Sequence, residues 1–109
     1  MSDTERRPVL VLITASAAES ALLARTVVEE RLAACVNRVP IASTYRWQGA
    51  VEDDDESLLI VKTSNDRVDA LEKRVQELHS YDVPEFVVFE PRAVSDTYLA
   101  WLLEASKAD

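Results

Sequence analysis

Side chains able to hold a metal or act as a nucleophile are few in this chain of 109 residues: one histidine, His79, one cysteine, Cys35, and a carboxylate run, Glu52-Asp53-Asp54-Asp55-Glu56. A neutral imidazole suits copper or zinc. At the end of a helix, His79 is equally explained by the field of the C-terminal carbonyls. Cys35 follows Leu32-Ala33-Ala34 and reads either as a small buried hydrophobe or as a soft-metal or redox thiolate. No base is identifiable beside it, so nucleophilic catalysis is not expected. The acidic run invites a hard-cation site. Calcium loops, however, need a sharp turn with spaced ligands, whereas successive strand residues point to opposite faces. The run reads instead as a solvated stretch that discourages aggregation and binds divalent ions loosely.

The elements that carry these residues follow from hydrophobic patterning. At 48% hydrophobic, with no Pro-, Gly- or Ser-rich interruption, residues 1–109 form one domain with one core. Residues 1–7 are polar and are expected to be a frayed lead-in. Val9 to Thr14 is a continuous apolar run, the pattern of a central strand covered on both faces. Ser16 and Glu19 have capping-box spacing, which starts a helix whose stripe is Ala21, Ala24, Val28 and Leu32, flanked by Leu23 and Val27. Cys35 to Trp47 and Ala50 to Thr63 read as two long antiparallel strands joined at Gln48-Gly49. Gly49 is the only glycine, and a positive φ in a tight hairpin is where one is most needed. Asn65 and Asp66 open a second helix with Val68, Leu71, Val75 and Leu78 inward. Glu85 to Glu90, fenced by prolines, is a fourth strand. Ser95-Asp96 caps a last helix with Tyr98, Trp101, Leu102 and Ala105 on one side.

The order strand, helix, strand, strand, helix, strand with right-handed crossovers gives a ferredoxin-like α+β fold. Its antiparallel sheet is ordered 4-1-3-2, with an extra C-terminal helix. The second strand is then an edge. At about 3.3 Å per residue it spans about 40 Å, twice the length of the shorter strands, so half of the hairpin lacks a pairing partner in its own domain. Long exposed edges aggregate unless paired. Tyr45 and Trp47 near the tip therefore point to an oligomer interface, most simply in a homotrimer closed by cyclic symmetry. A net charge of −8 argues against a nucleic-acid groove. No run approaches bilayer-spanning length, and one cysteine with no leading apolar segment makes the cytoplasm the expected compartment. An acylphosphatase-like enzyme on this fold needs an arginine in an anion-cradling loop, and Thr14-Ala15-Ser16-Ala17 has neither Arg nor Gly. No enzyme activity is expected.

Several segments together closely resemble the CutA divalent cation tolerance family: Glu29 to Asn37, Tyr45-Arg46-Trp47 with Gly49, Lys62-Thr63, Leu78 to Glu85, and Tyr98 to Trp101. The resemblance covers residues 9 to 105. It implies a cytoplasmic homotrimer of ferredoxin-like subunits, similar in architecture to PII signalling proteins and linked to copper and other divalent cations. In members credited with copper binding, ligands lie on a cysteine near the end of the first strand and on a His-His pair. Ile13 and Leu78-His79 stand at those positions here, leaving His79, with Cys35, as the metal candidates. The resemblance also places Lys62, Tyr81, Glu85 and Trp101 at inter-subunit clefts. There they serve either as packing or as a small-molecule or anion pocket, with Lys62 as its charge and the aromatics as its wall. Two functional classes follow: a non-enzymatic trimer that binds or responds to divalent metal with no organic cofactor, and a PII-like regulatory or scaffold trimer holding a small ligand in its clefts.

Overall fold

The computed structural model describes residues 5–109. Along the chain come β1 (Pro8–Ala15), α1 (Ala17–Glu29), β2 (Cys35–Trp47) and β3 (Ala50–Ser64). A 3-10 turn (Asn65–Arg67), α2 (Val68–Leu78), β4 (Val87–Phe89) and α3 (Asp96–Ala105) follow. The sheet order is β2-β3-β1-β4 with every neighbouring pair antiparallel, which is the expected 4-1-3-2 read from the other edge.

The hairpin tip sets the sheet's register. Gln48 and Gly49 have φ of 50° and 83°, the left-handed pair that a two-residue turn with the twist of its strands requires. From Trp47 opposite Ala50, pairing runs without a slip to Cys35 opposite Lys62. Pro40 sits within β2, a position an edge strand tolerates because a missing N–H on its outer side breaks no ladder bond.

One face of the sheet carries the core. Val9, Val11, Ile13 and Ala15 of β1 and Leu59 and Val61 of β3 pack under Leu23, Ala24 and Val27 of α1 and Leu71 and Val75 of α2. β1 is thus covered on one face rather than two. Leu10, Leu12 and Thr14 alternate with the core residues and remain half-buried. With them on the open face lie the half-exposed Val39, Val87 and Phe89.

The stripe of α1 also differs from the expected one. Ser20, Leu23, Ala24 and Val27 are buried, whereas Ala21 is exposed and Val28 is 38% exposed. The helix starts where expected, with Ser16 as N-cap accepting from the Glu19 amide. The larger Leu23 and Val27, rather than the alanine-led row, claim the sheet. Leu32 is buried from outside the helix. The chain turns back at Arg31 (φ 60°), with the Leu32 amide donating to Val27 O and the Arg31 amide to Val28 O. This is the bond pattern of a left-handed helix stop, usually made by glycine.

Arginine explains its own presence there. The Arg31 guanidinium donates to the carbonyls of Lys107 and Glu104, both at 2.7 Å, at the end of α3. Arg6 holds the same helix, donating to Leu103 O at 2.8 Å while pairing with Asp66 at 3.1 Å and reaching Ser64 Oγ at 2.9 Å. The expected frayed lead-in is therefore anchored at Arg6. The Arg7 amide is bound as well, to Asn65 Oδ1 at 2.6 Å. Positions 1–4 of that lead-in lie outside the described residues. Held by its carboxyl end, α3 buries Leu102, and Ser106 just beyond it is buried too, while Tyr98 and Trp101 stay 38% and 46% exposed. The expected four-residue inward side is thus split. β4 is also shorter than the six residues expected, because only Val87–Phe89 pair with Leu10–Leu12.

Candidate functional site

Where α2 ends, His79 closes the helix by donating its amide to Val75 O at 2.8 Å. Its ring is engaged on both sides. Nε2 lies 2.7 Å from Thr14 O at the end of β1, and Nδ1 accepts from the Tyr81 amide at 3.1 Å. The tautomer protonated on Nε2 satisfies both bonds, which leaves neither nitrogen's lone pair free for a metal. Glu19, in the first turn of α1, accepts from the Ser80 amide at 3.0 Å and the Ser80 hydroxyl at 2.8 Å. The Ser16 hydroxyl, then Ser80, hold the Glu19 carboxyl below the usual range. The segment after α2 is therefore pinned to β1 and α1 together.

That pinning places Tyr81 over the sheet. Its ring packs on His79 with centroids 4.5 Å apart, and its hydroxyl donates to Glu56 Oε1 at 2.9 Å. Burial, then the Glu56 carboxylate, push the Tyr81 phenol up to about 12. Between this segment and the inner side of the hairpin lies an open cavity of about 740 Å³. Its walls include Tyr45 and Trp47 of β2, Tyr81, and the carboxylates of Glu56, Asp82 and Glu85. Burial, and then Glu56, raise the Glu85 carboxyl above the ordinary value. Tyr45 donates to Asp54, and this bond, with burial, raises its phenol to about 12.

Of the four residues expected at a cleft, Tyr81 and Glu85 share this one, and Lys62 and Trp101 do not line it. Lys62 bonds Asn37 and stands opposite Cys35 and Leu10 on the ladder, four steps from the row of Leu58 and Thr14 at which the cleft begins. That offset is about 13 Å along the strand. Trp101 packs against Tyr98 on α3, with centroids 5.3 Å apart. The cleft is consequently acidic and aromatic, and its lining includes no lysine or arginine. Tyr45 and Trp47, expected at an oligomer interface, form part of its wall. Cys35 is half-buried at the Lys62 end, away from His79. Among the described residues, no group of three or more His, Cys, Asp or Glu is placed to hold a metal ion.

Glu56 is the member that the sequence pattern hid. Read with Glu52 to Asp55 as solvated, it is only 9% exposed, while its four acidic neighbours are exposed. The signal that identifies it is positional: it lies on the open face, in the row of Leu58 and Ile60, one residue before the alternation of Ser57, Leu59 and Val61 into the other face begins.

A model of the CutA1 divalent ion tolerance protein family matches residues 9–105. A divalent-cation tolerance protein CutA from Thermus thermophilus is 50% identical over 97 residues, covering 87% of this chain and 94% of that protein. A solved structure described as the PII-like protein CutA from Nostoc superposes with TM-score 0.88 at 33% identity, covering 93% and 99% of the two chains. One described as the periplasmic divalent cation tolerance protein CutA from Archaeoglobus fulgidus gives TM-score 0.89 at 32% identity, covering 92% and 99%. The chain spans about half the length of the plant and mammalian relatives it matches. No described helix is long and apolar enough to cross a membrane.

Proposed function

Because the chain belongs to the CutA1 divalent ion tolerance family, we propose that it is a non-enzymatic, cytoplasmic homotrimer of the divalent cation response. The observation that carries the assembly is the open face of the sheet. Leu10, Leu12, Val39, Val87 and Phe89 are left half-covered in a single subunit, and the hairpin extends past the core with an unpaired edge. Contiguous apolar surface and a free strand edge are both relieved by a symmetric neighbour. Light scattering at micromolar concentration is expected to show a three-chain species, and a well-folded single-chain species overturns the proposal.

The residues of one chain do not fit a resident copper centre. Both His79 nitrogens are already bonded and Cys35 lies near the other end of the ladder. Copper or another divalent cation is proposed to associate loosely with the exposed carboxylates of Glu52 to Asp55. Calorimetric titration with Cu²⁺ and Zn²⁺ is expected to give weak binding that His79→Ala and Cys35→Ser leave unchanged. A loss of tenfold or more in either variant restores a specific site there. The second reading, a PII-like trimer with a small ligand in each cleft, is supported by the cavity against Tyr81 and Glu85.

A further inference from the structure

We propose that the cleft between the hairpin and the segment after α2 binds a small organic cation, an ammonium or guanidinium group carried on an aliphatic stem. The proposal rests on the ligand-cleft reading and names the chemistry of its occupant. Its first support is Glu56, nine-tenths buried, whose only hydrogen-bond partner among the described side chains is the phenol of Tyr81 on Oε1. No lysine or arginine lies within ion-pair distance of it among the described residues. A buried carboxylate is costly unless a cation answers it, and one neutral phenol does not supply that charge. Asp82 and Glu85 add like charge to the same cavity.

The second support separates an organic cation from a metal. Tyr45, Trp47 and Tyr81 line the cavity, and aromatic walls attract an ammonium or guanidinium through the ring quadrupole. Hard metal ions need several oxygen ligands converging on one point. The carboxylates here do not form such a group. Spread carboxylates suit a ligand whose charge and stem touch different walls. Ile41, Leu58 and Pro84 offer the stem an apolar surface, and about 740 Å³ falls within the range of small-molecule sites.

The test titrates the intact assembled protein with agmatine, which carries a guanidinium and an ammonium on a short aliphatic chain. Trp47 emission is followed in a Trp101→Phe background. Saturable quenching is expected, weakened at least tenfold by Glu56→Gln, weakened less by Glu85→Gln, and not reproduced by neutral 1-butanol. Absence of saturation, or equal binding in both Gln variants and the parent, overturns the proposal. So does saturation by Mg²⁺ with no response to agmatine, which indicates a metal site. Light scattering on the same samples separates the two failures. A trimer that ignores agmatine defeats only this inference, whereas a single-chain species defeats the assembly proposal. A Glu56→Gln variant that binds agmatine normally but dissociates shows that a neighbouring subunit's basic side chain answers the carboxylate, and the proposal falls.

Discussion

The molecule treats its charged side chains differently at its two ends. Beside α3, Asp66 meets Arg6 at 3.1 Å, Arg6 also satisfies Leu103 O and Ser64, and Arg31 closes two further carbonyls. Under the hairpin, Glu56 is buried against a phenol alone, beside Asp82 and Glu85. The first end is electrostatically complete within one chain. The second has no counter-charge among the described residues of one chain. A fold whose charged groups meet an opposite charge at one end and only a phenol at the other separates the part that holds the chain together from the part proposed to meet a ligand.

That contrast breaks most readily at Arg6. Its guanidinium bonds are charge-assisted but partly exposed, so Arg6→Ala is expected to lower unfolding free energy by about 2 kcal/mol in urea titration. Glu56→Gln is expected to cost far less or to stabilise, because it removes an unanswered buried charge. A Glu56→Gln loss equal to that of Arg6→Ala would erase the distinction.

A smaller effect sharpens the arginine end. Arg31→Ala loses the bonds to α3 and keeps a side chain at φ 60°. Arg31→Gly loses the same bonds but relieves the backbone. The glycine variant should therefore exceed the alanine variant by about 1 kcal/mol in the same assay.

Smallest are the pH slopes, and they oppose one another. The Glu85 carboxyl is raised in the folded state, so the folded chain binds the extra proton. Its contribution to stability grows as pH falls from neutral toward the ordinary glutamate value of about 4.3. Asp66 is different: burial works against its charge, but bonds from Ser64 and Arg6 hold its carboxyl below the ordinary value. Its contribution is present above about 3.9 and is lost as pH falls below it. Thermal melts between neutral pH and pH 3 should show Glu85→Gln flattening the upper part of the profile and Asp66→Asn the lower. A Glu85→Gln profile that matches the parent would remove the electrostatic case for the cleft.

Much of this architecture was legible in the chain. A lone glycine between aromatic and β-branched residues located the hairpin turn, and Ser16 with Glu19 located the start of α1, because both signals are local backbone chemistry. The facing of α1 was not legible. Alanine, leucine and valine occur on adjoining rows, and only the sheet beneath decides which row is buried. Arg31 escaped for a similar reason: a left-handed stop normally announces itself with glycine, and the compensation comes from carbonyls more than seventy residues away. In the candidate site, Tyr81 and Glu85 were found together, and Lys62 and Trp101 fell outside it. Glu56 was masked by four acidic neighbours that share its composition but not its depth.

The two-residue turn at Gln48-Gly49 has a further consequence for how this arm can vary in length. Side chains on paired strands alternate between faces, so inserting one residue on either side of the tip inverts everything beyond it. Tyr45, for an insertion in β2, or Glu56, for one in β3, would then exchange sides with the residue next to it. Viable lengthening or shortening of the arm must come in matched steps, two residues in each strand, so that parity is preserved. A single glycine at the far tip thereby acts as the ruler against which the chemistry at the base is measured.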